Sequence, residues 1–134
     1  GFISLENGMS NNVEEVIDDM QVRVIAVSDN SGRGVAVFAN IDSIGVSNYD
    51  IKQIREYLVS LNPGVELSTV TVTSTHCHSC IDTQGLWTNL FPKLLGNLFK
   101  GWTGLGTLEK GVDEDYMKIV VERTAIPRVA APGA

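Results

Sequence analysis

The run Gln21 to Val27, QVRVIAV, alternates with β-branched residues, and Val35 to Ile41, VAVFANI, does much the same. Such period-two patterning predicts strands, and the turn-rich Ser28-Asp29-Asn30-Ser31-Gly32-Arg33-Gly34 between them predicts a β-hairpin with a longer loop. From Ser47 or Asn48, either of which can cap a helix, Ile51, Ile54, Leu58 and Leu61 recur at spacings of three and four until Asn62-Pro63-Gly64 stops the pattern. Leu67 to Ser74, LSTVTVTS, reads as the next strand. Strand, helix and strand in that order imply a right-handed βαβ crossover with the second and third strands parallel. The expected fold is therefore α/β, a β-hairpin followed by a βαβ crossover in a mixed sheet with flanking helices.

The remaining segments are less regular. Residues 1–19 are polar, with an acidic patch at Glu14, Glu15, Asp18 and Asp19, and read as a surface loop or short helix. Residues 82–112 are rich in Gly, Leu, Phe and Trp; a helix is expected near Leu94 to Phe99, within a lid, an insertion or a stretch of core. Trp87, Leu90, Phe91, Leu94, Leu95, Leu98, Phe99 and Trp102 can line an apolar cleft, although such spacing more often marks plain burial. Asp113-Glu114-Asp115 suits a helix N-terminus, and Tyr116, Ile119, Val120 and Arg123 continue that helix to Ala125. Residues 1–125 form the expected domain, and residues 126–134, rich in Ala and Pro, a tail or linker.

Length and charge narrow the function classes. The chain has 134 residues, enough for one ordinary domain but not two. Its 10 Lys and Arg against 16 Asp and Glu give a net charge of −6 with no basic cluster, which argues against nucleic acid as a partner. No apolar run reaches the roughly 18–20 residues of a membrane span.

Candidate chemistry concentrates at one point. Both histidines of the chain, His76 and His78, lie just past the third strand with Cys77 and Cys80 interleaved, and Asp42 ends the neighbouring parallel strand. The carboxyl edge of an open α/β sheet is where ligands bind. Side chains two apart project to one side of an extended backbone, and imidazole and thiolate are the commonest zinc ligands. A structural zinc site is disfavoured because four ligands within five residues cannot easily wrap one tetrahedral ion. A redox Cys77-x-x-Cys80 is possible in spacing, but such motifs open a helix and Ile81 to Gly85 reads as a loop. Both histidines as ordinary polar residues at a strand end remains open. The sharper reading is part of a catalytic metal site, with Asp42, or after it Asp82, accepting a hydrogen bond that orients a chelating ring; Asp42 can equally cap a loop.

The order hairpin, VFANIDSIG, helix, TVTVTSTHCHS resembles the N-terminal catalytic domain of the neutral/alkaline, non-lysosomal ceramidases and related bacterial proteins. That family carries Thr-His-Thr-His-Ser-Gly-Pro where this chain has Thr75-His76-Cys77-His78-Ser79-Cys80-Ile81. The match holds at Thr75, His76, His78 and Ser79, and the resemblance covers about residues 18–82 and, more faintly, Asp115-Tyr116-Met117. It implies a zinc-dependent amidohydrolase cleaving the N-acyl amide of ceramide-like lipids, with His76 a ligand of one zinc ion. His78 would be the catalytic neighbour that holds or polarises the substrate, with Asp42, Thr75 and Ser79 supporting them. The family's further ligands come from much later in a longer chain, so the 134 residues are expected to be the leading piece of a larger hydrolase. Membrane-surface association and a secreted or cell-surface location follow from the same resemblance. The alternatives are a divergent relative acting on another acyl amide or ester, a non-catalytic binding domain of the same fold, and the thiol-redox protein.

Overall fold

The computed structural model describes residues 15–85, 90–106 and 111–125. In chain order the elements are β1 (Val22–Val27), β2 (Val35–Ile41), α1 (Asn48–Leu61), β3 (Leu67–Ser74), α2 (Leu90–Thr103) and α3 (Glu114–Thr124). The strands form one mixed sheet in the order β1-β2-β3, with β1 antiparallel and β3 parallel to β2. This is the expected hairpin and βαβ arrangement. Residues 15–21 run as irregular coil, while the expectations for residues 1–14 and for the tail 126–134 lie outside the described residues.

Alternation along β2 decides which face is covered. Val35, Val37, Ala39 and Ile41 are buried, whereas Phe38 between them is 48% exposed. Two clusters fill the covered side: Val35, Val37, Val70, Leu58 and Ala125 at one end, and Ile41, Ile54, Val120 and Val121 at the other. Strand, α1 and α3 residues meet in both, so the two helices pack together over one face of the sheet. On the opposite face Ile25 pairs with Phe38, which pairs with Thr71, and all three are exposed.

Local chemistry supports each element. The Ser47 hydroxyl accepts from the Asp50 amide at the start of α1, and the Asn62 side-chain amide donates to the Leu58 carbonyl at its end. Asp113 caps α3 in the same way, accepting from the Tyr116 amide. Arg55 reaches from α1 and donates twice to the Val70 carbonyl, at 3.1 and 2.9 Å, covering part of the sheet edge that β3 forms. Gly34 enters β2 at φ +91°, where a Cβ would lie 2.7 Å from the Glu66 carbonyl oxygen, so only glycine lets the strand begin against β3.

One expectation is corrected. Helix α2 is longer than Leu94 to Phe99, and its apolar residues Leu94, Leu95, Leu98, Phe99 and Trp102 are exposed rather than core. Its amphipathic spacing arises without a covering layer, because α2 packs closely against none of the other described strands or helices. Trp87 lies outside the described residues, as do the side chains of Leu90 and Phe91.

Candidate functional site

The loops that leave β2 and β3 are laced together at the carboxyl edge of the sheet. Four successive ties run from the second loop to carbonyls of the first. The Thr75 amide donates to Ile41 (3.0 Å), the Cys77 amide to Ser43 (3.1 Å), the His76 ring to Ile44 (2.8 Å) and the Thr83 hydroxyl to Gly45. Ser43 and Thr83 are fully buried at this junction. The backbone of Gly111 also approaches Gly85 so closely that a Cβ on it would meet the Gly85 carbonyl oxygen at 2.6 Å. Parallel pairing of β2 with β3 is what sets the two loops side by side.

His76 and His78 come together by a different route from the expected extended backbone. The strand stops at Ser74, and His76 takes a left-handed conformation with φ +59°, one of two such non-glycine residues described. A side chain in that region costs on the order of 1–3 kcal/mol, which the ties on either side must offset. The outcome is a close ring pair, with centroids 4.8 Å apart and planes at 86°. Only an N–H can donate to the Ile44 carbonyl, so His76 carries its proton on Nδ1 and presents a lone pair at Nε2. His78 Nε2 lies 3.3 Å from that atom, so with both rings neutral it is the donor. The left-handed residue at this motif is thus the candidate ligand itself.

Asp42 does not orient either ring. Its carboxylate accepts from the Gln21 amide at 3.0 Å and pairs with Arg23 at 3.3 Å, because the antiparallel β1 strand begins beside the end of β2. The Gln21 amide is the main cause holding its pKa below the ordinary carboxylate range, with Arg23 and the Thr75 hydroxyl adding to it against partial burial. Asp42 and Thr75 therefore tie β1 to the loop, and the oxygen that holds His76 is the Ile44 carbonyl. Asp82 likewise accepts from the Gln84 and Gly85 amides and shapes its own loop. Ser79 is exposed on the turn after the histidines.

The cysteines are reduced and half-buried behind the turn. Burial, and then the adjacent Cys77, push the Cys80 thiol up to about 12. Burial also raises the Tyr116 phenol, which donates to Met20 Sδ at 3.5 Å, as does the Ile81 amide. No helix opens between Cys80 and Gly85. A redox pair needs an accessible, low-pKa thiolate, and Cys80 has the opposite surroundings.

His76 fits a zinc ion in one respect. The Ile44 carbonyl is the kind of outer partner that fixes a ligating tautomer. Among the described residues, no group of three His, Cys, Asp or Glu side chains converges on one point. A cleft of about 650 Å³ lies beside the site, between Met20, Asp42 and the Tyr116 to Arg123 face of α3. Another, of about 1060 Å³, lies between α1 and α3 behind Thr83 and Gln84 and does not include the histidines. Ile44, Met20 and Thr83 were not signalled by sequence, since a backbone carbonyl acceptor and packing partners far along the chain leave no motif.

No family model, curated protein or solved structure matches the chain.

Proposed function

We propose that the carboxyl edge of β2 and β3 is one wall of a zinc-dependent hydrolase site that cleaves the N-acyl amide of ceramide-like lipids. The observation that carries this reading is the Ile44 carbonyl on His76 Nδ1, which aims the Nε2 lone pair beside His78 at an exposed strand end. His76 would hold the metal through Nε2, and the resemblance to neutral ceramidases supports the same role. When bound, the ion would supply a Lewis acid that makes water nucleophilic near neutral pH and polarises an acyl carbonyl.

With the metal on His76 Nε2, the His78 Nε2–H would be released from that atom and stand next to the metal position. There it would donate to the oxygen on which charge develops, or pass that proton to the leaving nitrogen. The loop ties at Ser43, Ile44 and Gly45 would keep both rings from reorganising during the reaction, and the left-handed backbone at His76 supports such pre-organisation. The remaining metal donors would come from residues beyond the described set.

Zinc titration of the protein expressed from its complete open reading frame, against a competing chromophoric chelator, tests the reading. One ion per chain is expected, with affinity falling at least about tenfold in His76→Ala, because removing even an outer partner of a ligand costs that much. In the presence of zinc, release of fatty acid from N-acylsphingosine should fall in His78→Ala while zinc affinity falls less than in His76→Ala. Absence of zinc uptake by the wild-type protein would sink the proposal.

A further inference from the structure

Helix α2 carries its apolar residues in the open. Leu94, Leu95, Leu98, Phe99 and Trp102 recur at spacings of three and four and share one face. That face is exposed: Leu95 is 65% and Trp102 86% exposed, while Gly96, Asn97, Lys100 and Thr103, elsewhere on the helix, are intermediate. The apolar stripe continues into Leu105, just past the helix end, which is also exposed. Offering such an apolar stripe to water is unfavourable unless something apolar covers it.

Charge and size decide among the covers. Between Asp82 and Glu109 there is no acidic residue, and the two lysines there, Lys93 and Lys100, are two turns apart in the sequence of α2. This is a locally cationic segment in a chain of net charge −6. A negatively charged surface would attract the segment and repel the rest of the molecule, so electrostatics alone would orient the chain with α2 toward it. A second copy is a poorer cover because the strip is small. A 14-residue helix is about 21 Å long and presents a strip about 10 Å wide, a footprint of about 200 Å² against the roughly 800 Å² per partner of a stable interface. Fourteen residues are too few to cross a bilayer, and no described helix is long and apolar enough to do so. Leu and Phe on one face, lysine in the same helix and tryptophan at the end is the composition of a helix lying in a lipid interface.

We propose that α2 is an interfacial helix that docks this chain on an anionic bilayer surface, with Leu94, Leu95, Leu98, Phe99 and Trp102 sunk among the acyl chains. The inference is independent of whether His76 and His78 hold a metal, and its test is run with a chelator present. The purified chain is floated with vesicles of phosphatidylcholine alone or of equal parts phosphatidylcholine and phosphatidylglycerol, and tryptophan emission is recorded. The chain is expected to float with the anionic vesicles, with a blue shift, and to float less with phosphatidylcholine or as salt is raised. Leu98→Asp should weaken binding at least about tenfold, as expected when a leucine is withdrawn from apolar contact and replaced by a charge, with far-UV circular dichroism unchanged. Trp102→Ala, at a position with almost no packing to lose, gives the same comparison if Leu98→Asp perturbs folding. Failure of the wild-type chain to float, or undiminished flotation of a folded variant, would overturn the proposal. So would concentration-dependent self-association in the ultracentrifuge that Leu98→Asp abolishes without any vesicle binding, since a second copy would then be the cover.

Discussion

His76 and His78 hold their Nε2 atoms 3.3 Å apart, with the rings edge to face, because the His76 backbone turns left-handed as soon as β3 ends. The pair is thus made by a strained turn anchored to the neighbouring loop, and not by the alternation of an extended strand. That origin separates the energetic consequences of the ring from those of the backbone.

The comparison between His76→Gly and His76→Ala isolates the backbone. Both lose the ring and its bond to Ile44, but only glycine adopts φ +59° without steric cost. The glycine variant should be more stable than the alanine variant by about 1 kcal/mol in urea denaturation. Equal stabilities would mean that the turn relaxes once the ring is removed.

The two faces of the sheet should respond differently to truncation. Leu58, 1% exposed in the cluster that joins α1 to β2 and β3, leaves a cavity when shortened, and Leu58→Ala is expected to cost about 2–5 kcal/mol. Phe38→Ala, on the uncovered face, should cost under about 1.5 kcal/mol because half of the ring already meets water. Chemical denaturation midpoints measure both, and a large loss at Phe38 would show that its face is covered.

Acid should weaken the contact between β1 and the site loop. The Asp42 carboxyl is more acidic folded than unfolded, so between its native value and the ordinary value near 3.9 the unfolded chain binds more protons. Its stabilising contribution is present above pH 4 and lost as pH falls through the depressed native value. Asp29, held down to about 2 by Ser31 and Arg33 in the hairpin loop, titrates in the same direction. Asp42→Asn should therefore flatten the fall in stability between pH 4 and 2 relative to wild type, as read from thermal melts across that range.

The thiols should behave as structural groups. With Cys80 pushed up to about 12 and both side chains half-buried, little thiolate exists near neutral pH. Alkylation of Cys80 by iodoacetamide at pH 7.5 should be at least about tenfold slower in the folded chain than in urea, and mild disulfide oxidants should leave two titratable thiols. Rapid formation of a Cys77–Cys80 disulfide would restore the redox reading.

Legibility differed between fold and site. Period-two runs placed β1, β2 and β3 to within a residue, since half-buried strands must alternate, and Ser47, Asn62 and Asp113 announced helix ends because they satisfy backbone groups that a helix leaves open. The same spacing misled at α2. Periodicity records that a helix has an apolar face, but not whether protein, lipid or another molecule covers it.

At the site, the sequence alone determined that both histidines sit past β3 and that a parallel β2 brings Asp42 near them. Only the tertiary structure decided that Asp42 turns to Gln21 and Arg23, that the Ile44 carbonyl takes over the holding of His76, and that Cys80 is buried away from ionisation. Element type follows from short-range periodicity and capping, which neighbouring residues encode. The partner of a side-chain proton depends on which distant backbone atom packing brings within 3 Å, and no local pattern encodes that.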